Sequence, residues 1–103
     1  MSSDNPIPVR LKYVRKKAQI SQKSLGMRIG IDESSASARM NQYEKGKHTP
    51  DIGTLKKLAS ELDVPLSYFF CEDDESAELA CLISKLDLET KKKLIKLLVS
   101  SKV

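Results

Sequence analysis

From Ile7 onward the apolar residues recur at intervals of three and four, and no run of four or more positions alternates apolar with polar. That interval lays a stripe along one side of a helix, whereas a half-buried strand needs a period of two. The chain is therefore expected to be all-α. With 103 residues and a hydrophobic share of 40% it can bury one compact core. Aromatic residues make up only 5%, so that core rests on Leu and Ile. Four Gly and four Pro are too few for a turn-rich β-sandwich.

Capping residues punctuate the stripes. Pro8 suits the first turn of a helix over 8–17, where its missing N–H costs nothing. Leu11, Val14 and Ala18 keep helical step there, with Arg10, Lys12, Arg15, Lys16 and Lys17 expected outward. Ser21 is a good N-cap for a second helix with Leu25 and Ile29 inward, closed by Gly30. Asp32 caps a third helix, and Glu33 sits beside its positive end. Ala36, Met40 and Tyr43 form the inner face of that helix, Ser34, Ser35, Ser37, Arg39, Asn41 and Gln42 face outward, and Gly46 ends it. Pro50-Asp51 opens a fourth helix carrying Leu55, Leu58, Ala59 and Leu62, and Pro65 starts a short fifth with Leu66, Phe69 and Phe70.

Residues 1–6 are polar and aperiodic and read as a disordered tail, leaving a five-helix domain over 7–70. Five acidic residues between Glu72 and Glu78 read as a solvated hinge over 71–78. Residues 79–103 form a C-terminal helical pair, the second member capped by Asp87.

Charge is unevenly shared. Residues 1–50 hold ten Lys/Arg against four Asp/Glu, and residues 51–103 hold eight against ten. The basic half thus contains the second and third helices, as an electrostatic footprint for phosphate requires. Cys71, Cys81 and His48 form no metal-ligand spacing, so no metal or other cofactor is expected. The cysteines read as two reduced, buried small hydrophobes. No stretch approaches the ~20 apolar residues of a membrane span, and Met1 to Pro8 lacks a basic-then-apolar leader pattern. A cytoplasmic protein is expected. No nucleophile–base pair, carboxylate pair or phosphate loop is visible, which argues against an enzyme.

One ordered series of residues is more specific than any of these. It runs Ile20-Ser21-Gln22-Lys23-Ser24-Leu25-Gly26, then Gly30-Ile31, then Met40-Asn41-Gln42-Tyr43-Glu44-Lys45-Gly46. It continues through Lys47-His48-Thr49-Pro50-Asp51, Thr54-Leu55, Leu58-Ala59 and Leu62, to Val64-Pro65-Leu66 and Tyr68-Phe69-Phe70. Over about residues 7–70 the chain resembles the Cro/C1-type repressors, or XRE-type helix-turn-helix regulators.

The resemblance implies a lambda-repressor-like domain whose second and third helices form a wedge, the third lying in the major groove of duplex DNA. It implies base contacts from Ser37, Ala38 and Gln42, with Arg39 in the adjacent place. Gln pairs with adenine and Arg with guanine, while Ala38 could touch only a thymine methyl. It implies phosphate contacts from Ser21, Gln22 and Asn41, and from Lys45, Lys47, His48 and Thr49 in the following loop. Gly26 stands where the family usually has alanine, a small residue that lets the two helices approach.

One departure bears on those contacts. Asp32-Glu33-Ser34-Ser35 looks like a four-residue insertion between the turn and the closing glycine. It either adds a turn to the third helix or lengthens the connection, and it could bring Ser34 or Ser35 to the groove. The C-terminal pair carries Leu79, Leu82, Ile83 and Leu86 on one segment and Leu94, Ile95 and Leu98 on the next. This surface either pairs with a second copy or completes the monomer's core, and pairing is the favoured expectation because a two-fold dimer presents two recognition helices. The functional expectation is a homodimeric repressor reading an inverted repeat. The alternative is an antitoxin that binds a toxin and represses its own promoter, and an anti-repressor is a further candidate protein partner.

Overall fold

The computed structural model describes residues 5–101, and among them there are helices and no strands. Their order is α1 (Ile7–Lys17), α2 (Gln22–Arg28), α3 (Glu33–Glu44), α4 (Ile52–Leu62), a 3-10 turn (Leu66–Phe70), α5 (Asp74–Ser84) and α6 (Leu88–Ser100). The core is a single cluster. Leu11, Leu25, Met40, Leu55, Leu58 and Phe69 are fully enclosed, and Ile7, Val14, Ile29 and Tyr43 close around them. Each enclosed Leu contributes about 1.5–3 kcal/mol by leaving water, so this cluster holds the first four helices and the 3-10 turn as one body.

The expected caps form. Ser21 Oγ accepts from the Ser24 N–H at 3.0 Å, Asp51 Oδ1 from Thr54 at 2.8 Å, and Asp87 Oδ1 from Thr90 at 2.8 Å. Gly30 and Gly46 take φ of +97° and +76°, the left-handed region where a Cβ is penalised.

Three sequence readings need correction. Arg10 and Arg15, expected outward on α1, are buried. Arg10 donates from Nε to the Cys71 carbonyl at 2.8 Å and from Nη1 to Asp74 at 2.9 Å, while the Tyr68 hydroxyl donates to the Arg10 carbonyl at 3.2 Å. Burial pushes that hydroxyl's pKa up to about 12. The short fifth helix is a 3-10 turn, because Pro65 and Cys71 bracket only one tight stretch in extended backbone.

The acidic stretch expected as a hinge over 71–78 is the start of α5. Asp73 caps it by accepting from the Ser76 N–H at 2.8 Å, and Asp74 and Glu75 occupy its positive end. Ala77 of α5 is buried in the core and Cys81 packs against it, so α5 belongs to the main body. Of the expected tail, residues 1–4 lie outside the described residues; Asn5 accepts the Ile7 N–H at 3.1 Å. Among the described helices, only α6 has no fully buried residue. The molecule accordingly has a radius of gyration of 15.6 Å and extents of 52 × 31 × 23 Å, against about 13 Å for a compact chain of this length.

Candidate nucleic-acid interface

The α2–α3 pair is set by one close crossing. A methyl group on Gly26 would lie 2.8 Å from the Ala36 Cβ and 3.0 Å from the Ala36 carbonyl oxygen. The chain turns between the helices through Gly30, with the Ile31 N–H on the Gly26 carbonyl at 3.0 Å. Asp32 then caps α3, accepting from the Ser34 N–H at 3.0 Å and from the Ser34 hydroxyl. Those two bonds hold its carboxyl below the usual aspartate range. The connection is therefore short. Asp32-Glu33-Ser34-Ser35 supplies the cap and first turn of a twelve-residue α3 and does not lengthen the loop. Lys23 on α2 reaches Glu33 at 3.0 Å and ties the added turn to its neighbour.

The far end of α3 is fixed by a buried polar network. Arg15 of α1 donates from both Nε and Nη2 to the Glu44 carboxylate, the latter at 3.0 Å. Its Nη1 donates to the Ile20 carbonyl at 2.9 Å. Gln22 Nε2 donates to Glu44 Oε1 at 3.0 Å and to Asn41 Oδ1 at 3.3 Å. The planar guanidinium fork suits a carboxylate held on two sides, which a lysine could not reproduce. The start of α2 and the end of α3 are thus joined to α1. The sequence reading missed this network, although Arg15 stands four residues after the buried Leu11 and so shares its face of α1.

Burial of Ala36, Met40, Tyr43 and Glu44 defines the inner face of α3. At 100° per residue, Ser34, Ala38, Asn41, Gln42 and Lys45 lie opposite, with Ser37 and Arg39 on the two flanks. Of the sequence-assigned base readers, Ser35, Ser37, Ala38 and Arg39 are exposed and Gln42 is half-exposed.

The sequence-assigned phosphate residues are also brought together. Gln22 touches Asn41, and the Lys47 and His48 N–H groups donate to the Gln42 carbonyl at 2.9 and 3.4 Å, folding that loop onto the end of α3. Lys45, Lys47, His48 and Thr49 are exposed there. Among the described residues, Arg39, Lys45 and Lys47 have no carboxylate partner. No group of three His, Cys, Asp or Glu among those residues could hold a metal.

Two helices locked at a glycine crossing, the second presenting a polar face between unpaired cations, define a helix-turn-helix DNA-binding domain. A helix-turn-helix family model matches residues 11–69. The chain belongs to that family, the Cro/C1-type (XRE) helix-turn-helix transcription regulators. Among solved structures, that of the transcriptional regulator BswR superposes with a TM-score of 0.82 and is 48% identical, covering 91% of this chain and 93% of its own. No curated protein sequence matches the chain. Among the described residues no helix is long and apolar enough to cross a membrane.

Proposed function

We propose that the chain is a homodimeric repressor that reads an inverted DNA repeat through the outward face of α3. The observation that carries this reading is the outward row of exposed Ser34 and Ala38 and half-exposed Gln42, held rigid at one end by Gly26 on Ala36 and at the other by Arg15 on Glu44. Gln42 is the main direct reader, since its amide can pair with both edges of an adenine, and Arg39 reads from the flank. Ala38 allows close approach and a thymine methyl contact. The added turn carries Ser34 and Ser35 one helical pitch further along the groove, about 5.4 Å. Ser21, Gln22, Asn41 and the loop from Lys45 to Thr49 hold the phosphate backbone and set register.

Dimerisation through α5 and α6 is supported by the exposure of Leu79, Leu82, Ile83, Ile95 and Leu98 in the single chain. So many large apolar side chains left exposed on two successive helices mark an interaction site. Repression follows from occlusion: a dimer seated across a promoter blocks polymerase.

The test is binding to duplex DNA across a salt series, joined to run-off transcription from a template carrying the bound site. Affinity should fall with salt at a slope of about −0.9 per phosphate neutralised. Lys47→Ala should reduce that slope by about 1 and leave sequence preference intact, whereas Gln42→Ala should do the reverse. Gln42→Ala and Ala38→Glu proteins that bind like the parent would overturn the assignment of α3, and undiminished transcription from an occupied template would overturn repression.

A further inference from the structure

A groove of about 670 Å³ runs between α1 and α5. The Arg10–Asp74 contact holds the starts of the two helices together at one end, and Lys17 and Lys85 line the other. Between those ends its walls carry apolar side chains: Val9 and Tyr13 on α1 are 63% and 59% exposed, and Leu82 on α5 is 58% exposed. Asp74 and Glu78 make the first end acidic, with Glu72, Asp73 and Glu75 beside it.

We propose that this groove receives α6 of a second copy, in a reciprocal exchange that forms the dimer interface. The inference rests on the homodimer reading above and specifies how the two copies meet. Helix α6 has the right form for such a seat. None of its residues is fully buried in its own chain, with Lys91 and Leu94 half-buried, and around Ile95 it presents exposed Leu88, Leu98 and Val99 with Lys92 alongside.

Charge fixes the direction. With Lys92 over Glu78, the C-terminal turn of α6 falls beside Lys17 and the Lys85–Asp63 pair, where the Lys17 cation favours its negative dipole end. The lengths agree. Glu78 to Lys85 and Lys92 to Val99 are each seven residues, roughly 10 Å at 1.5 Å per residue. This direction runs parallel to α5. The chain's own α6 cannot adopt it, because the short link through Leu86 and Asp87 joins the end of α5 to the start of α6. A fold-back would instead bring the negative end of α6 onto the acidic start of α5. A second copy satisfies both the charge and the tether. Two-fold symmetry then repeats the contact, as an interface of about 1,200–2,000 Å² requires when one short helix covers only part of it.

The experiment uses the full chain with Cys71→Ser and Cys81→Ser. One batch carries Tyr13→Cys and a second carries Ile95→Cys, both exposed positions outside the core. The batches are treated with a short bis-maleimide, separately and mixed, and the parent's mass is followed by sedimentation over a concentration series. We expect a dimeric parent, a covalent dimer from the mixture, and no covalent product from either batch alone. A dimeric parent with no mixed product, or Ile95→Cys linking to itself, overturns the groove exchange and leaves the homodimer reading standing. A parent that stays monomeric at all concentrations overturns both.

Discussion

Gly26 and Ala36 are in contact at the point where α2 crosses α3, with room for a hydrogen on Gly26 and no room for a methyl. The atoms a Cβ would meet include backbone, which cannot swing aside. This contact sets the angle at which the recognition helix leaves the body.

Gly26→Ala is therefore expected to destabilise, although alanine is the better helix former by about 1 kcal/mol. Overpacking costs about 1–3 kcal/mol and outweighs that gain. Thermal denaturation should show a lower midpoint for Gly26→Ala and a partial recovery when Ala36→Gly is added. An unchanged or raised midpoint for the single substitution would show that the crossing is looser than described.

Arg15 and Glu44 form a buried pair, their side chains 10% and 2% exposed. Arg15→Ala leaves the carboxylate enclosed with only the Gln22 amide for company. Such uncompensated charges cost about 3–5 kcal/mol. Urea denaturation should show this loss for Arg15→Ala, and a smaller one for Arg15→Met combined with Glu44→Met, because the double change buries no charge.

Tyr68 supplies an alkaline limit. Its hydroxyl is raised to about 12 by burial, above the unfolded value near 10. The neutral form is the one the fold favours. Its contribution is fully present below pH ~10 and is lost as pH rises toward 12. Tyr68→Phe should cost about 1 kcal/mol at pH 7, through loss of the bond to the Arg10 carbonyl. It should also flatten the fall in stability between pH 10 and 12, as read by denaturant midpoints across that range.

Asp51 supplies part of the acid limit. Backbone and side-chain bonds from Thr54 hold its carboxyl below the usual aspartate range. A depressed carboxyl stabilises the fold above its unfolded value near 3.9 and stops doing so as pH falls through the lower folded value. Asp51→Asn should lower the melting temperature at pH 7, and the gap from the parent should close below pH 3.

Much of this architecture was legible in the sequence because caps and apolar periods are local. Ser21, Asp32, Asp51 and Asp87 each act within three residues of their own position. For Arg10 and Arg15 formal charge points outward while spacing points inward, since Arg10 follows Ile7 by three and Arg15 follows Leu11 by four. Their partners, Asp74 and Glu44, lie 64 and 29 residues away, a distance at which periodicity carries no information. The acidic run has the composition of a solvated hinge, yet acidic residues also favour the first turn of a helix. Whether Asp32 to Ser35 lengthen the turn or the helix depends on the capping bonds at Asp32, which become visible only when the chain is folded.

In the proposed dimer, the outward face of α3 reads DNA sequence as one half of a two-fold pair. The most direct test of this arrangement is in vitro selection from a randomised duplex pool, with the parent chain and the Gln42→Ala and Arg39→Ala variants in parallel. The parent should enrich an inverted repeat whose half-site centres lie about 10–10.5 base pairs apart or a multiple of that. Each variant should lose discrimination at one position per half-site, by about 1–3 kcal/mol, and keep the rest of the motif. Enrichment of no motif by the parent, or of an identical and equally sharp motif by both variants, would contradict it.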